Sequence, residues 1–202
     1  MKNTIITATF MMMVCTASAA DTDKTLVSWV TLTDTNTRSG SILTIQRGPW
    51  FDGIIWAERA PGKWMAGSNA FHRTEKEQQH NRVEQADAET TVQLAIVYRG
   101  DTITIYRNGE VYTSYPAKNI DLLNNEENYA IFGLRHIGGN GSISGAIEDA
   151  RIYDRALSQQ EIKALEPNRA SAIKPWAWWD FEGDKPAECT GRYAFNNLEN
   201  GA

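Results

Sequence analysis

Cysteine is scarce in this 202-residue chain, which contains only Cys15 and Cys189. Residues 1–20 begin with a basic residue, continue with a short apolar run and end in small residues, the pattern of a cleaved secretory signal peptide. Because Cys15 would leave with this leader, Cys189 is the one thiol that stays, and an internal disulfide is excluded. We therefore expect a secreted or periplasmic protein whose stability comes from its apolar core.

An excess of positive charge is also lacking. The chain has 20 basic and 25 acidic residues, and the loss of Lys2 with the leader changes the net charge from −5 to −6. Nucleic acids and anionic membranes bind basic surfaces, so neither is expected as a partner. The apolar run of the leader is too short to span a bilayer, and no membrane association is predicted after cleavage.

Motifs for catalysis are absent from the sequence. Glycan-cleaving jelly rolls use facing carboxylates, commonly in an E-x-D-x-x-E strand, and no such motif is found. A serine elbow, a phosphate-binding glycine loop and a CxxC pair are missing as well. His72 and His80 are eight residues apart without a third ligand at a metal-binding spacing, which argues against zinc. We expect no catalytic residue, so enzymatic activity of this chain alone is not predicted.

Alternating and β-branched runs separated by turn residues predict an all-β fold. The clearest feature is a pair of hairpins, with turns at Gly100-Asp101 and at Asn108-Gly109, the latter typical of a type I′ turn. Strands are predicted at residues 24–32, 41–46, 53–57, 91–99, 102–107, 110–115, 129–135 and 143–153.

A short helix is predicted directly after the last of these strands. Ser158 precedes Glu161 by three residues, which is a capping box, and Ile162 and Leu165 then lie on one side. The helix is expected to pack this apolar edge against the preceding sheet.

The segment GSISGAIEDARIYDRALSQQEIKAL, residues 141–165, resembles the last strand and closing helix of laminin G-like, concanavalin A-like jelly-roll domains. The run QLAIVYRGDTITIYRNGE, residues 93–110, is similar to the central hairpins of the same family. The resemblance implies a two-sheet antiparallel jelly-roll sandwich with a short C-terminal helix. Such domains are usually binding or accessory modules, and fold alone does not decide the function.

Aromatic residues are concentrated between Gly48 and Phe71, which indicates either a sugar-binding surface or a cover over the end of the sandwich. Rings at the edge of a sandwich can stack on the apolar face of a sugar, with polar side chains beside them. The candidate carbohydrate-binding residues are Trp50, Phe51, Asp52, Trp56, Arg59, Trp64, Asn69 and Phe71.

Glu148 and Asp149 are candidate calcium ligands. Members of the wider concanavalin A-like group hold a structural Ca²⁺ beside the last strand, and the resemblance places Glu148 where they carry the acid. The alternative is a surface acid that pairs with Arg151 or Arg155. No other cofactor is expected.

The predicted organisation is a signal peptide at 1–20, a laminin G-like domain at 21–166 and a linker at 167–173. Residues 174–202, with KPWAWWDFE at their start, resemble the opening strand of a similar domain. They either begin a second domain or supply a permuted strand to the first one.

The stretches DKTLVSWV, GKWMAGS and KPWAWWDFE look like the leading region of secreted family 32 glycoside hydrolases, although the nucleophile motif W-M-N-D-P-N of that family is absent. This resemblance implies an accessory module that binds or positions polysaccharide for an attached catalytic domain. The alternatives are a structural or protein-interaction module without sugar affinity, and a fragment of a β-fructosidase-type hydrolase.

Overall fold

The computed structural model describes residues 22–123, 128–182 and 187–190. In these residues the strands are β1 (Lys24–Leu32), β2 (Ser41–Arg47), β3 (Trp50–Trp56), β4 (Trp64–Ser68), β5 (Val92–Arg99), β6 (Thr102–Arg107), β7 (Glu110–Pro116), β8 (Tyr129–Gly133), β9 (Gly145–Tyr153), β10 (Ala177–Asp180) and β11 (Ala187–Glu188). A 3₁₀ turn (Asn69–Phe71) follows β4, and one helix, α1 (Gln159–Lys163), follows β9. The predicted signal peptide and residues 191–202 lie outside the described residues.

The strands form two antiparallel sheets. The larger sheet has the order β11-β10-β9-β1-β5-β6-β7, and the smaller one has the order β4-β3-β2-β8. The predicted all-β, two-sheet antiparallel sandwich is confirmed. No helix among the described residues is long and apolar enough to cross a membrane.

The main core lies between the sheets. Along β1, Leu26 and Val30 face this core, whereas Val27 and Trp29 face the opposite side of the larger sheet. This division follows from the two-residue period of a strand and agrees with the alternation in the sequence. Both sides of β1 are buried, as expected for a central strand with packed layers on its two faces.

Helix α1 covers the second face of the larger sheet. Its Ile162 packs with Val27, Trp29 and Leu157 in a smaller apolar cluster. The predicted capping box is confirmed, because the Ser158 side chain accepts a hydrogen bond from the Glu161 backbone and the Glu161 carboxylate accepts one from the Ser158 backbone.

The central hairpins also agree with the prediction. Strand β6 pairs with β5 and β7, and Arg107 lies opposite Glu110 across a two-residue turn. Asn108 and Gly109 have φ values of 49° and 72° in this turn. A type I′ turn requires this left-handed conformation at both central positions.

The aromatic segment differs from the sequence prediction. Trp50 and Phe51 open β3 instead of lying in a loop, and Trp64 opens β4, a strand that the sequence pattern did not indicate. Every residue of β4 is buried, so it lacks the polar and apolar alternation by which a half-exposed strand is recognised.

The C-terminal segment joins the larger sheet. Strand β10 pairs with β9, with Trp178 opposite Arg151. Trp179 on the other side of β10 is buried in the main core. The residues that resemble an opening strand therefore belong to the same sheet as β1, while the division of the chain into domains stays a prediction.

Candidate functional site

The β2–β3 hairpin presents Trp50 at one end of the sandwich. Arg47 and Trp50 are paired across the turn Gly48-Pro49, and Gly48 has a φ of 53°. A two-residue turn whose first residue is glycine fixes the pairing of the two strand ends. The Trp50 side chain follows this turn directly and is 40% exposed.

The residues after β4 present a second ring. Ala70 and Phe71 have φ values of 48° and 57°, the left-handed region that β-carbon-bearing residues seldom occupy. The side chain of Phe71 is 36% exposed. An outlier of this kind costs free energy and is often found where a surface is shaped for binding.

Each of these two rings contacts a second side chain. The ring centroids of Trp50 and His72 are 6.5 Å apart, and the guanidinium carbon of Arg59 is 5.2 Å from the centroid of Phe71. Because Phe71 and His72 are consecutive, the two contact pairs meet at neighbouring positions of the chain. We call Trp50, Arg59, Phe71 and His72 the aromatic rim.

A buried ion cluster lies beneath the rim. Asp52 on β3 accepts hydrogen bonds from Arg73 Nε at 3.0 Å and Nη2 at 2.8 Å, and its other oxygen lies 3.1 Å from Lys24 Nζ. All three side chains are almost fully buried. The Arg73 guanidinium carbon is 5.9 Å from the centroid of Trp50, so the cluster supports the exposed ring from below.

Lys24 connects this cluster to the chain after β7. Its ammonium donates to Asn119 Oδ1 at 2.8 Å and to the Ile120 carbonyl oxygen at 2.9 Å, and it lies 4.3 Å from the ring centroid of Tyr98. Burial lowers the pKa of Lys24, and the attraction of Asp52 offsets only part of that effect. Burial also raises the pKa of Tyr98, which keeps this phenol neutral.

Four of the predicted candidates lie inside the sandwich, where a ligand at the surface does not reach them. Trp56 and Trp64 are fully buried with ring centroids 4.7 Å apart, and Asp52 is fully buried in the ion cluster. Phe51 is buried and lies 5.1 Å from the ring of His136. The rim retains Trp50, Arg59 and Phe71, and Asn69 is half-buried beside them.

Trp64 is further held by a carboxylate. Its indole Nε1 donates to Glu84 at 2.8 Å, and Arg107 donates to both oxygens of the same carboxylate. Burial alone raises the pKa of Glu84, but the hydrogen bonds from Arg107, from the Ala86 backbone and from Trp64 outweigh it and lower that pKa to about 2. Glu84 thereby fastens the chain between β4 and β5 to the sandwich.

Of the two predicted calcium ligands, Asp149 already binds a cation of the protein. The Asp149 carboxylate accepts hydrogen bonds from Arg151 Nε and Nη2, from the Asn168 backbone at 2.7 Å and from Trp178 Nε1 at 2.9 Å. The Arg151 guanidinium thus occupies the place of a cation. The predicted alternative is such a pair at the surface, whereas Asp149 is fully buried. Glu148 lies at the β-bulge between β9 and β1. Among the described residues, no group of three or more metal-ligating side chains occurs.

Arg151 itself lies between two indole rings. Its guanidinium carbon is 5.2 Å from the Trp29 centroid and 4.9 Å from the Trp178 centroid. It also donates to the carbonyl oxygens of Glu166 and Arg169. The three adjacent strands β1, β9 and β10 are therefore joined through one buried cation, a contact that the sequence pattern did not reveal.

This architecture is that of a two-sheet jelly-roll sandwich whose rim carries exposed rings over a buried ion cluster. Residues 13–163 match the laminin G family model described as the concanavalin A-like lectin/glucanases superfamily, and the chain belongs to this family. The match confirms the resemblance that the closing strand and helix indicate. No curated protein matches the sequence.

Solved structures with the same fold share little sequence identity with this chain. A candidate carbohydrate binding protein from Bacteroides ovatus ATCC 8483 has a TM-score of 0.59 at 13% identity over 85% of this chain, which spans 50% of that protein's length. Domain 4 of AbnA, a GH43 extracellular arabinanase from Geobacillus stearothermophilus solved with arabinotriose, has a TM-score of 0.56 at 16% identity, covering 73% of this chain and 67% of that one.

A heptameric SAP-like pentraxin from Limulus polyphemus has a TM-score of 0.53 at 16% identity, covering 83% of this chain and 79% of that one. At such low identities these similarities establish the fold and leave the ligand open.

Proposed function

We infer that this protein is a secreted, non-catalytic module that binds or positions carbohydrate through the aromatic rim. The observation that carries this proposal is the pair of exposed rings, Trp50 in contact with His72 and Phe71 in contact with Arg59. A ring face packs against the C–H groups of a pyranose or furanose, and adjacent polar groups bind its hydroxyls.

Rigid support of both rings favours binding over incidental exposure. Trp50 follows a two-residue turn and rests on Arg73, which is itself fixed by Asp52. Phe71 has a left-handed backbone conformation, and its ring is only partly covered by other residues. A preformed surface loses little conformational entropy when a ligand binds, which raises its affinity.

Two of the structural neighbours add support to this proposal. One is named for carbohydrate binding, and the other is a domain of an extracellular arabinanase solved with a trisaccharide. Three buried carboxylates of this chain, those of Asp52, Glu84 and Asp149, each bind an arginine, which favours a structural role for them over acid–base chemistry. We therefore propose an accessory role beside a separate polysaccharide-degrading catalytic domain.

Affinity electrophoresis on gels that contain single polysaccharides tests this function. We expect retention on at least one glycan, and we expect Trp50→Ala and Phe71→Ala to abolish it while the far-UV spectrum stays unchanged. Tyr129→Ala is the matched control, because Tyr129 is 55% exposed but lies on β8, outside the rim. Migration that no glycan in a broad panel retards would refute the proposal.

A second candidate function is a protein-interaction module. Tyr129, Leu134 and Ile137 are exposed apolar side chains at and after β8. An exposed apolar surface of this kind is typical of protein contacts. Under this alternative, Tyr129→Ala weakens association with the partner, and the Trp50 and Phe71 variants behave like the wild type.

A further inference from the structure

The rim contains an arginine that has no acidic partner among the described residues. In that part of the chain, the Arg59 guanidinium donates one hydrogen bond, from Nη2 to the Lys76 carbonyl oxygen at 3.3 Å. Arg59 is exposed and forms no ion pair with any described carboxylate. The neighbouring acid Glu58 is already paired with Arg135. Arg59 thus keeps Nε and Nη1 available beside the exposed ring of Phe71.

Arg59 differs in this respect from three arginines that bind carboxylates. Arg107 and Arg151 each bind a carboxylate through two nitrogens, as Arg73 does. Arg38, Arg82 and Arg99 are likewise exposed and form none of the ion pairs found among the described residues, but of these four arginines only Arg59 lies over an aromatic ring. This position beside a ring matters because a guanidinium is a specific receptor for a planar anion.

Positive charge also predominates beneath Trp50. The single carboxylate of Asp52 is shared by Lys24 and Arg73, so the cluster contains more cations than anions. Arg47, opposite Trp50 in the hairpin, donates to the carbonyl oxygen of Asp121 at 2.7 Å.

From this geometry we propose that the rim binds a sugar that carries an anionic group, a carboxylate or a sulfate. The sugar ring stacks on Trp50 and Phe71, and its anionic group accepts hydrogen bonds from Arg59. This inference rests on the proposed carbohydrate binding, and it specifies the class of sugar that the site selects. Neutral sugars of the same shape lack the group that Arg59 recognises and bind more weakly.

Matched polymer pairs separate the anionic group from the rest of the sugar. Polygalacturonate is compared with carboxyl-reduced polygalacturonate, and dextran sulfate is compared with dextran, on the full chain in affinity gels and by titration calorimetry. We expect at least one anionic polymer to bind about tenfold more tightly than its neutral partner, a difference of about 1.4 kcal/mol. Because exposed charges are screened, this preference declines as the salt concentration rises.

Arg59→Gln provides the direct test, and Arg82→Gln provides a control with the same charge change, since Arg82 is exposed on the chain before β5. We expect Arg59→Gln to remove the preference for the anionic polymer, so that both members of a pair bind this variant with the same affinity. Arg82→Gln retains the wild-type preference.

The two proposals fail in different ways. Equal affinity for both members of every pair, or an Arg59→Gln variant that keeps the preference, overturns the anionic-sugar inference while carbohydrate binding stands. Absence of binding to every charged and neutral polymer overturns both. A preference in the polygalacturonate pair assigns a carboxylate, and a preference in the dextran pair assigns a sulfate.

Discussion

Arg73 lies below the exposed ring of Trp50, with 5.9 Å between its guanidinium carbon and the ring centroid. The same guanidinium donates to Asp52 through Nε and Nη2 and to the Phe51 carbonyl oxygen through Nη2. The position of the surface ring is therefore determined by ions that are buried between the sheets.

Removal of Arg73 is expected to destabilise the fold and to weaken the rim. Arg73→Met keeps most of the volume but leaves Asp52 with Lys24 alone, and the loss of one partner from a buried ion cluster costs about 3–5 kcal/mol. Urea denaturation measures this loss. Arg82→Met, at an exposed position, serves as the control and is expected to stay within about 0.5 kcal/mol of the wild type. An Arg73→Met variant as stable as the wild type would show that the cluster does not support the fold.

Glu84 is expected to make stability depend on pH in the acidic range. Its pKa of about 2 in the folded protein lies below the ordinary value of 4.5, so its contribution is complete above about pH 4.5 and disappears as the pH falls towards 2. Glu84→Gln removes the charge that Arg107 and Trp64 bind, and we expect a loss of about 2 kcal/mol at pH 7. The test is the melting temperature of the wild type and of Glu84→Gln, measured from pH 7 to pH 2.5.

The two melting curves of wild type and Glu84→Gln should converge as the pH is lowered. Glu161→Gln is a suitable comparison, because Glu161 is also a paired acid but lies at the helix terminus, away from Trp64. A gap between wild type and Glu84→Gln that is constant over the whole range would contradict the assignment of the shifted pKa to Glu84.

Arg151 is expected to hold β10 in the larger sheet. Arg151→Met removes the cation between Trp29 and Trp178 and leaves the Asp149 carboxylate with only the Asn168 and Trp178 donors. Hydrogen exchange of the amides in residues 177–180 should accelerate in this variant more than exchange in β6. Uniform acceleration of all strands, or none, would mean that Arg151 does not act locally on β10.

Calcium is expected to leave the stability unchanged. A site with a Kd of about 10⁻⁴ M would stabilise the protein by about 2 kcal/mol at about 5 mM calcium, which raises the melting temperature by several degrees. The Asp149 carboxylate is already bound by Arg151, so we predict the same melting temperature with calcium and with chelator. A calcium-dependent rise would show that the protein binds the ion and would contradict this prediction.

Much of the fold was predictable because its signals are local. The Asn108-Gly109 turn, the alternation of β5 and β6, and the capping box at Ser158 each depend on a few neighbouring residues, and the structure confirms all of them. Strand β4 was not predicted, because both of its faces are covered and its sequence carries no alternation.

The candidate site was only partly predictable, since burial depends on distant segments. Trp50 and Trp64 look alike in sequence, yet Glu84 and Arg107 close over Trp64, and Trp50 stays exposed at a turn. The Lys24–Asp52 pair joins residues of different sheets, for which the sequence has no spacing rule. One sign of this pair is present in the sequence, which is a charged residue in each of two buried strands, Lys24 in β1 and Asp52 in β3.

The central claim is that the exposed ring of Trp50 contacts a carbohydrate. Titration calorimetry with the best-retained polysaccharide tests it most directly on wild type, Trp50→Ala and the control Tyr129→Ala. We predict that Trp50→Ala raises the Kd at least about tenfold, equivalent to about 1.4 kcal/mol, whereas Tyr129→Ala leaves it unchanged. Equal affinity of the wild type and Trp50→Ala, or a loss confined to Tyr129→Ala, would contradict the account.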